Sequence, residues 1–335
     1  MSAVSRIIDS TRSAATALFH SFWNPTADTM RRWAIAGVVV NAGITVTGAV
    51  VRVTGSGLGC PTWPRCTADS FTPIPHPEHS PVNMAIEFGN RLLTFLVLTV
   101  GIACVLAAMR MVPRRASLVR LAWLQPAGVA AQGLWGGLVV RSALNPVTVS
   151  VHFLLSIGLI AAAYALYARS REDDAPARRL VHRDIRTLGF VLAFAVFVLL
   201  VTGVVVTGTG PHSGDVAATR FDFDLETVAR VHATAVWIVL GLTFSLLFSL
   251  HVTDAPGRAR RAALVLFGVE LAQGVIGYVQ YFTAVPAFLV GLHVLGSVLV
   301  WIATLRVVFL MRIRASAGIA VSSSESSSAA APLPV

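Results

Sequence analysis

Three histidines, His152, His232 and His293, stand inside long apolar segments of a 335-residue chain. Each lies about six or seven residues from one end of its segment, a depth of about 10 Å at 1.5 Å per helical residue. A lone intramembrane histidine is ordinarily explained by an interhelical hydrogen bond. Three at one depth and at related positions point instead to a functional site, the default for an ionisable residue in an apolar span. Imidazole is the usual axial ligand of haem iron, and two imidazoles on facing helices of a four-helix bundle suit it. Zinc fits less well, because no cysteine or carboxylate stands at ligand spacing beside any pair. His20, His76, His79, His182, His212 and His251 fall in loops, linkers and helix ends and are expected to be solvated surface residues.

A second constellation is Glu87, Asn90, Arg91 and Thr94, at i, i+3, i+4 and i+7 on one helix face. Two readings stand side by side. Glu87 and Arg91 form an ion pair near the interface, or Glu87 accepts protons and stabilises a cationic intermediate. Glu270 is a second carboxylate inside an apolar segment and is read as a packing partner. Cys60 and Cys66 lie in GSGLGCPTWPRC. A disulfide persists outside the cytoplasmic membrane, and the residues between them, Pro61 and Pro64 included, permit a tight closed loop. A structural staple and a redox-active pair are both compatible with that spacing. Cys104 falls mid-helix and reads as a packing residue.

The elements that position these groups follow from composition. Hydrophobic residues make up 55% of the chain and charged residues 13%, with a mean hydropathy of +0.73. A soluble domain carries roughly 25% charged residues. A chain this apolar cannot cover a water-facing surface, so a soluble enzyme, a disordered protein and a nucleic-acid binder are excluded. The formal charge of +10 comes from 26 arginines and no lysine. They sit in short clusters between apolar runs, where they set orientation in a membrane.

Apolar runs at 33–53, 83–109, 117–140, 147–168, 187–208, 226–252, 261–281 and 287–310 are each long enough to cross a hydrocarbon core of about 30 Å. The fold class is therefore all-α integral membrane, with eight transmembrane helices. Arginine clusters before the first run, at the 2–3 and 6–7 turns, in the central linker and after the last run place both termini in the cytoplasm. Loops 54–82, 141–146, 209–225 and 282–286 then face outward. Residues 1–30 hold Arg6, Arg12, Asp9 and Asp28 among small residues, so no cleavable leader is expected there. The SSSESSS run predicts a disordered tail.

The two halves resemble each other. TGAVVRVTGSG from Thr47 matches TGVVVTGTG from Thr202, and AQGLWGGLV from Ala131 matches AQGVIGYVQ from Ala272. Gln132 precedes His152 by 20 residues, as Gln273 precedes His293. The same bookkeeping puts Asn90 where the second half has His232. The repeat predicts two pseudo-symmetric four-helix bundles related by an axis along the membrane normal. The expected organisation is a cytoplasmic segment 1–30, a first bundle 31–170, a linker 171–186, a second bundle 187–314 and a cytoplasmic tail 315–335.

GSGLGCPTWPRC after the first helix, IEFGNR opening the second, the histidine ending NPVTVSVH, and the two second-half histidines together resemble the haem A synthase family over about residues 33–312. The resemblance implies oxidation of a ring methyl of haem O to the formyl group of haem A, in a multi-pass protein of the cell membrane. It implies a haem B cofactor in the second half, with its iron held by His232 and His293. It also implies a first-half substrate site with Glu87 catalytic and Asn90, Arg91 and His152 around the haem, His152 as axial ligand. Cys60 and Cys66 match the family's loop cysteine pair. Haem O synthase and cytochrome c oxidase assembly are the implied protein partners, with membrane lipid around the chain and no nucleic acid. The chain departs from the family pattern at Asn90, where the pattern has histidine. A symmetric di-haem electron carrier would have imidazole there, and a haem-binding chaperone without chemistry has no need of Glu87.

Overall fold

A computed structural model describes residues 23–74 and 80–314, with Arg12, Ser13, Thr16 and Phe19. Residues 1–11 of the expected N-terminal segment, the expected tail 315–335, and His20, His76 and His79 lie outside the described residues. Among the described residues eight long helices form. They are α1 (Ala27–Val53), α2 (Pro81–Arg110), α3 (Ala116–Arg141), α4 (Pro146–Arg169), α5 (Arg183–Thr209), α6 (Leu225–Val252), α7 (Gly257–Phe282) and α8 (Ala287–Leu310). Local chemistry sets several of their starts. The Thr26 hydroxyl accepts from Thr29 N, and Asn145 accepts from Val147 N ahead of Pro146, whose fixed φ suits the first helical position. Asp224 accepts from Thr227 N and the Thr227 hydroxyl, and those bonds hold its carboxyl below the usual range.

Seven of the helices are long and apolar enough to cross a membrane. The expectation of eight such segments is met by all but α3. Its Gln125, Pro126 and Gln132 lower its hydropathy, and the glutamines bond to neighbouring helices. Buried Gln125 accepts from Asn41 Nδ2 on α1 at 3.0 Å, and Gln132 donates to Ser156 on α4 at 2.6 Å. In an apolar environment such bonds join helices where hydrophobicity alone gives little preference. The helices themselves run a few residues beyond the apolar segments, because polar caps extend them.

Helices α1 to α4 pack in a closed ring of neighbours, and α5 to α8 pack in an equivalent ring. The rings meet through α1 against α8, α4 against α5, and α4 against α8, which are exchange-related or self-related pairs of the repeat. A core that includes Ile157, Ile160, Leu192, Val196, Val298 and Val307 runs through this junction. Trp301 on α8 donates its indole N–H to Ile157 O on α4 at 3.0 Å, so the polar edge of a buried indole is satisfied across it. At the end that carries the histidines, Arg52 donates to His212 O at 2.5 Å and Thr207 O at 2.6 Å, and Gly57 N donates to Gly214 O at 2.8 Å. His212, expected to be solvated, is instead partly buried, with Nε2 2.9 Å from Val285 O.

The opposite end is closed by charge. Glu172 accepts from Arg312 Nη1 through both oxygens, at 3.1 and 2.9 Å, and lies 3.5 Å from Arg169 Nε. Asp174 pairs with Arg169 at 2.9 Å and accepts from the Ser117 hydroxyl, which with Arg115 and Arg169 holds its carboxyl below the usual range. Arg178–Arg179 pairs antiparallel with Arg312–Ile313, a two-residue ladder that the all-α expectation does not contain. Arg314 Nε lies 3.8 Å from the same carboxylate, so replacing Glu172 by Ala leaves three half-buried guanidinium groups, of Arg169, Arg312 and Arg314, without their shared acceptor. The expected cost is about 1–3 kcal/mol, read as a lower unfolding midpoint in detergent. An unchanged midpoint would show that this cluster does not hold the linker.

Candidate functional site

The sites grow from helix pairs that the repeat tied together. Gln132 on α3 donates to His152 O on α4 at 3.2 Å, and Gln273 on α7 donates to His293 O on α8 at 2.6 Å. The main chain beneath each histidine is thus fastened to the preceding helix. The same helix then offers a glycine to the ring. A Cβ on Gly136 would lie 3.4 Å from His152 Cε1, and one on Gly277 would lie 3.2 Å from His293 Cε1. His232 on α6 is treated alike by α5, where a Cβ on Gly203 would lie 3.2 Å from its Cε1. Each imidazole therefore lies close against a backbone with no side chain between.

His232 and His293 come together, their ring centroids 6.4 Å apart at an interplanar angle of 64°. Their helices are not adjacent in the ring, so the imidazoles meet across its interior. The Thr202 hydroxyl lies 2.9 Å from Leu199 O and 3.0 Å from His232 Nδ1. Its one proton goes to the carbonyl, so Nδ1–H donates to Thr202 and Nε2 keeps its lone pair. This tautomer is assigned from the network, and it is the arrangement that orients a ligating imidazole. Two imidazoles binding one metal at about 2 Å place their ring centroids roughly 6 Å apart. His232 and His293 therefore fit an axial ligand pair. Among the described residues no three His, Cys, Asp or Glu side chains gather as for a metal held by protein alone.

In the first half Asn90 holds the position of His232. The Thr47 hydroxyl, the counterpart of Thr202, lies 2.7 Å from Asn90 Oδ1 and 3.1 Å from Ile44 O; the shorter bond is the one to the amide. His152 Nδ1 is buried without a hydrogen-bond partner, as is His293 Nδ1. The opening of α2 carries the groups that the second half lacks. Glu87 is 6% exposed. Its Oε1 accepts from Arg91 Nη2 at 2.5 Å and Nε at 3.1 Å, and its Oε2 accepts from Cys60 N at 2.6 Å. Arg91 also donates to Cys60 O at 2.7 Å, Thr62 O at 3.0 Å and Arg65 O at 3.1 Å.

Cys60 and Cys66 are joined in a disulfide, and both are buried. The Glu87–Arg91 pair thus grips the main chain of the disulfide loop and seats it on α2. The ion pair expected from the i, i+4 spacing is formed, and its second job, holding the loop, needs contacts that spacing cannot supply. Glu270 is buried; its Oε1 accepts from the Thr243 hydroxyl at 2.9 Å, and its Oε2 has no hydrogen-bond partner among the described residues. Buried Cys104 lies 3.3 Å from Trp33 O. Sequence reasoning missed Thr47 and Thr202 and the glycines Gly136, Gly203 and Gly277; their signal was present in the TG pairs and in the repeated stretches that begin with AQG.

These features define a class: a multi-pass helical membrane protein built from a duplicated four-helix ring, with paired imidazoles inside. Within that class the chain belongs to the cytochrome oxidase assembly protein family, whose model matches residues 31–305. A heme A synthase of Geobacillus kaustophilus is 30% identical over 178 residues, covering 52% of this chain and 51% of the relative. One from Staphylococcus epidermidis is 23% identical over 180 residues, covering 52% and 58%. One from Geobacillus thermodenitrificans is 29% identical over 164 residues, covering 46% and 49%. The chain spans about half the length of the curated relatives it matches.

Arg91→Leu strands the Glu87 carboxylate in a buried position. Breaking a buried pair from one side costs about 3–5 kcal/mol. Adding Glu87→Gln to Arg91→Leu is expected to recover part of that loss, because the stranded charge is gone. Unfolding midpoints of the two single variants and the double variant check this; strictly additive losses would mean the two side chains are not coupled.

Proposed function

We propose that the chain is a haem A synthase, an oxidoreductase that converts a ring methyl of haem O into the formyl group of haem A for cytochrome c oxidase assembly. The observation that carries this reading is the His232–His293 pair inside the second half, set against a first half where Asn90 replaces one imidazole. Equal sites would suit an electron carrier. Unequal sites suit a division between a cofactor and a substrate that needs an open iron position.

In this reading residues 187–314 are the cofactor half and residues 31–170 the substrate half. Haem B, held by His232 and His293, supplies one-electron chemistry when bound. His152 is the single imidazole for the substrate haem. Oxidising a ring methyl releases protons and builds positive charge at the carbon. A carboxylate in a low-dielectric site stabilises such charge more strongly than in water. Glu87 is that carboxylate, paired with Arg91 and accepting from Cys60 N. We further propose eight spans in the cell membrane, both termini cytoplasmic, with haem O synthase and the oxidase assembly machinery as partners.

Haem extracted from cells with and without the gene tests the activity. Loss of haem A with accumulation of haem O supports it, and unchanged haem A would end it. His232→Ala and His293→Ala are each expected to remove the stable low-spin haem B signal; an unchanged low-spin spectrum in both would place the cofactor elsewhere. Glu87→Gln keeps shape and much of the hydrogen bonding but removes the charge. Purified Glu87→Gln protein is expected to bind haem B normally and to form little haem A, retaining haem O or a hydroxylated intermediate. A wild-type ratio of haem A to haem B would leave Glu87 only its loop-holding task.

A further inference from the structure

We propose that Asn90 makes the first-half site a small-ligand pocket: its amide N–H, aimed by Thr47, is the hydrogen-bond donor for a small oxygen- or nitrogen-bearing ligand opposite His152. This rests on the reading that His152 holds a haem in the first half.

Three observations carry it. Asn90 sits at the repeat position of His232, and Thr47 at that of Thr202, yet the hydrogen bond runs the other way. Thr202 accepts from His232 Nδ1 and so leaves the ring a free lone pair. The Thr47 hydroxyl lies 2.7 Å from Asn90 Oδ1 and donates to it, engaging the amide oxygen, the better metal-binding atom of the side chain. The atom left over is Nδ2, a donor with two N–H bonds and no partner among the described residues. Second, the room differs. A Cβ on Gly203 would lie 3.2 Å from the His232 ring, whereas a Cβ on the matching Gly48 would meet nothing within 4 Å. The space next to Gly203 is taken by the imidazole, and the matching space next to Gly48 is not taken by any side chain. Third, Asn90 is only partly buried.

An amide donor beside an open position discriminates by hydrogen-bond acceptance. A ligand that accepts strongly gains from Nδ2–H; one of similar size that accepts weakly does not. The site therefore takes small acceptor ligands, of which water and the oxygen species used in oxidation are members.

The test uses the full chain purified with haem in both halves, with azide as the strong acceptor and carbon monoxide as the weak one. The second-half low-spin signal serves as the control for folding in every variant. Wild type is expected to show a ligand-accessible haem fraction that binds both probes. Asn90→Leu is expected to weaken azide roughly tenfold, the size of one hydrogen bond to a charged acceptor, while carbon monoxide changes by less than about twofold. Thr47→Val is expected to move azide in the same direction, because the amide is no longer aimed. Asn90→His is expected to add a second low-spin signal and abolish binding of both probes. Unchanged azide affinity in Asn90→Leu, with a probe-binding fraction that disappears in His152→Ala, would overturn the donor role and leave the first-half haem standing. Probe binding that survives unaltered in His152→Ala would overturn the haem reading itself and the inference with it.

Discussion

The close approach of imidazole to bare helix backbone is the constraint around which both halves are built. An imidazole inside an apolar ring of helices needs space, a fixed orientation and a free nitrogen. Glycine on the neighbouring helix supplies the space, at Gly136, Gly203 and Gly277. Orientation comes from below, where Gln132 and Gln273 hold the histidine carbonyls. Neither device tolerates much sliding between helices, so helix pairing and site geometry are the same requirement. The Trp301–Ile157 bond and the arginine–carboxylate cluster at the far end then fix how the two rings meet.

Duplication explains the frame, and the proposed chemistry rests on departures from it. At the 142-residue offset that relates Asn90 to His232, Glu87 corresponds to Ala229 and Arg91 to Ala233. The carboxylate, its guanidinium partner and the disulfide loop they grip all belong to the first half alone. The second half keeps two imidazoles, with Thr202 on the ring of one and Gln273 on the main chain of the other, and has no charged pair at the matching helix positions. The first half gives up one imidazole and gains charge, polar donors and a covalently closed loop. A site that must admit a reactant needs such groups, and they are costly to bury unless paired. Arg91 is the pairing that makes Glu87 tolerable there.

The long apolar segments, their arginine flanks and the positions of His152, His232 and His293 were legible because hydropathy and helical period are properties of a single strand of sequence. So was the Glu87–Arg91 pair, since residues four apart meet on any helix. The internal repeat was legible too, and it singles out Asn90 as the departure from His232. The lower hydropathy of α3 was not read from the sequence, where its run counted as one of eight equal spans. Only the packed structure shows Gln125 and Gln132 bonding to α1 and α4. The meeting of His232 with His293, the aim of Thr47 on Asn90 and the clamp of Arg91 on the disulfide loop depend on how far each helix is rotated about its axis and how closely it approaches its neighbours. Those quantities are set by all the side chains at an interface together, so no local pattern encodes them, and the tertiary structure alone decided them.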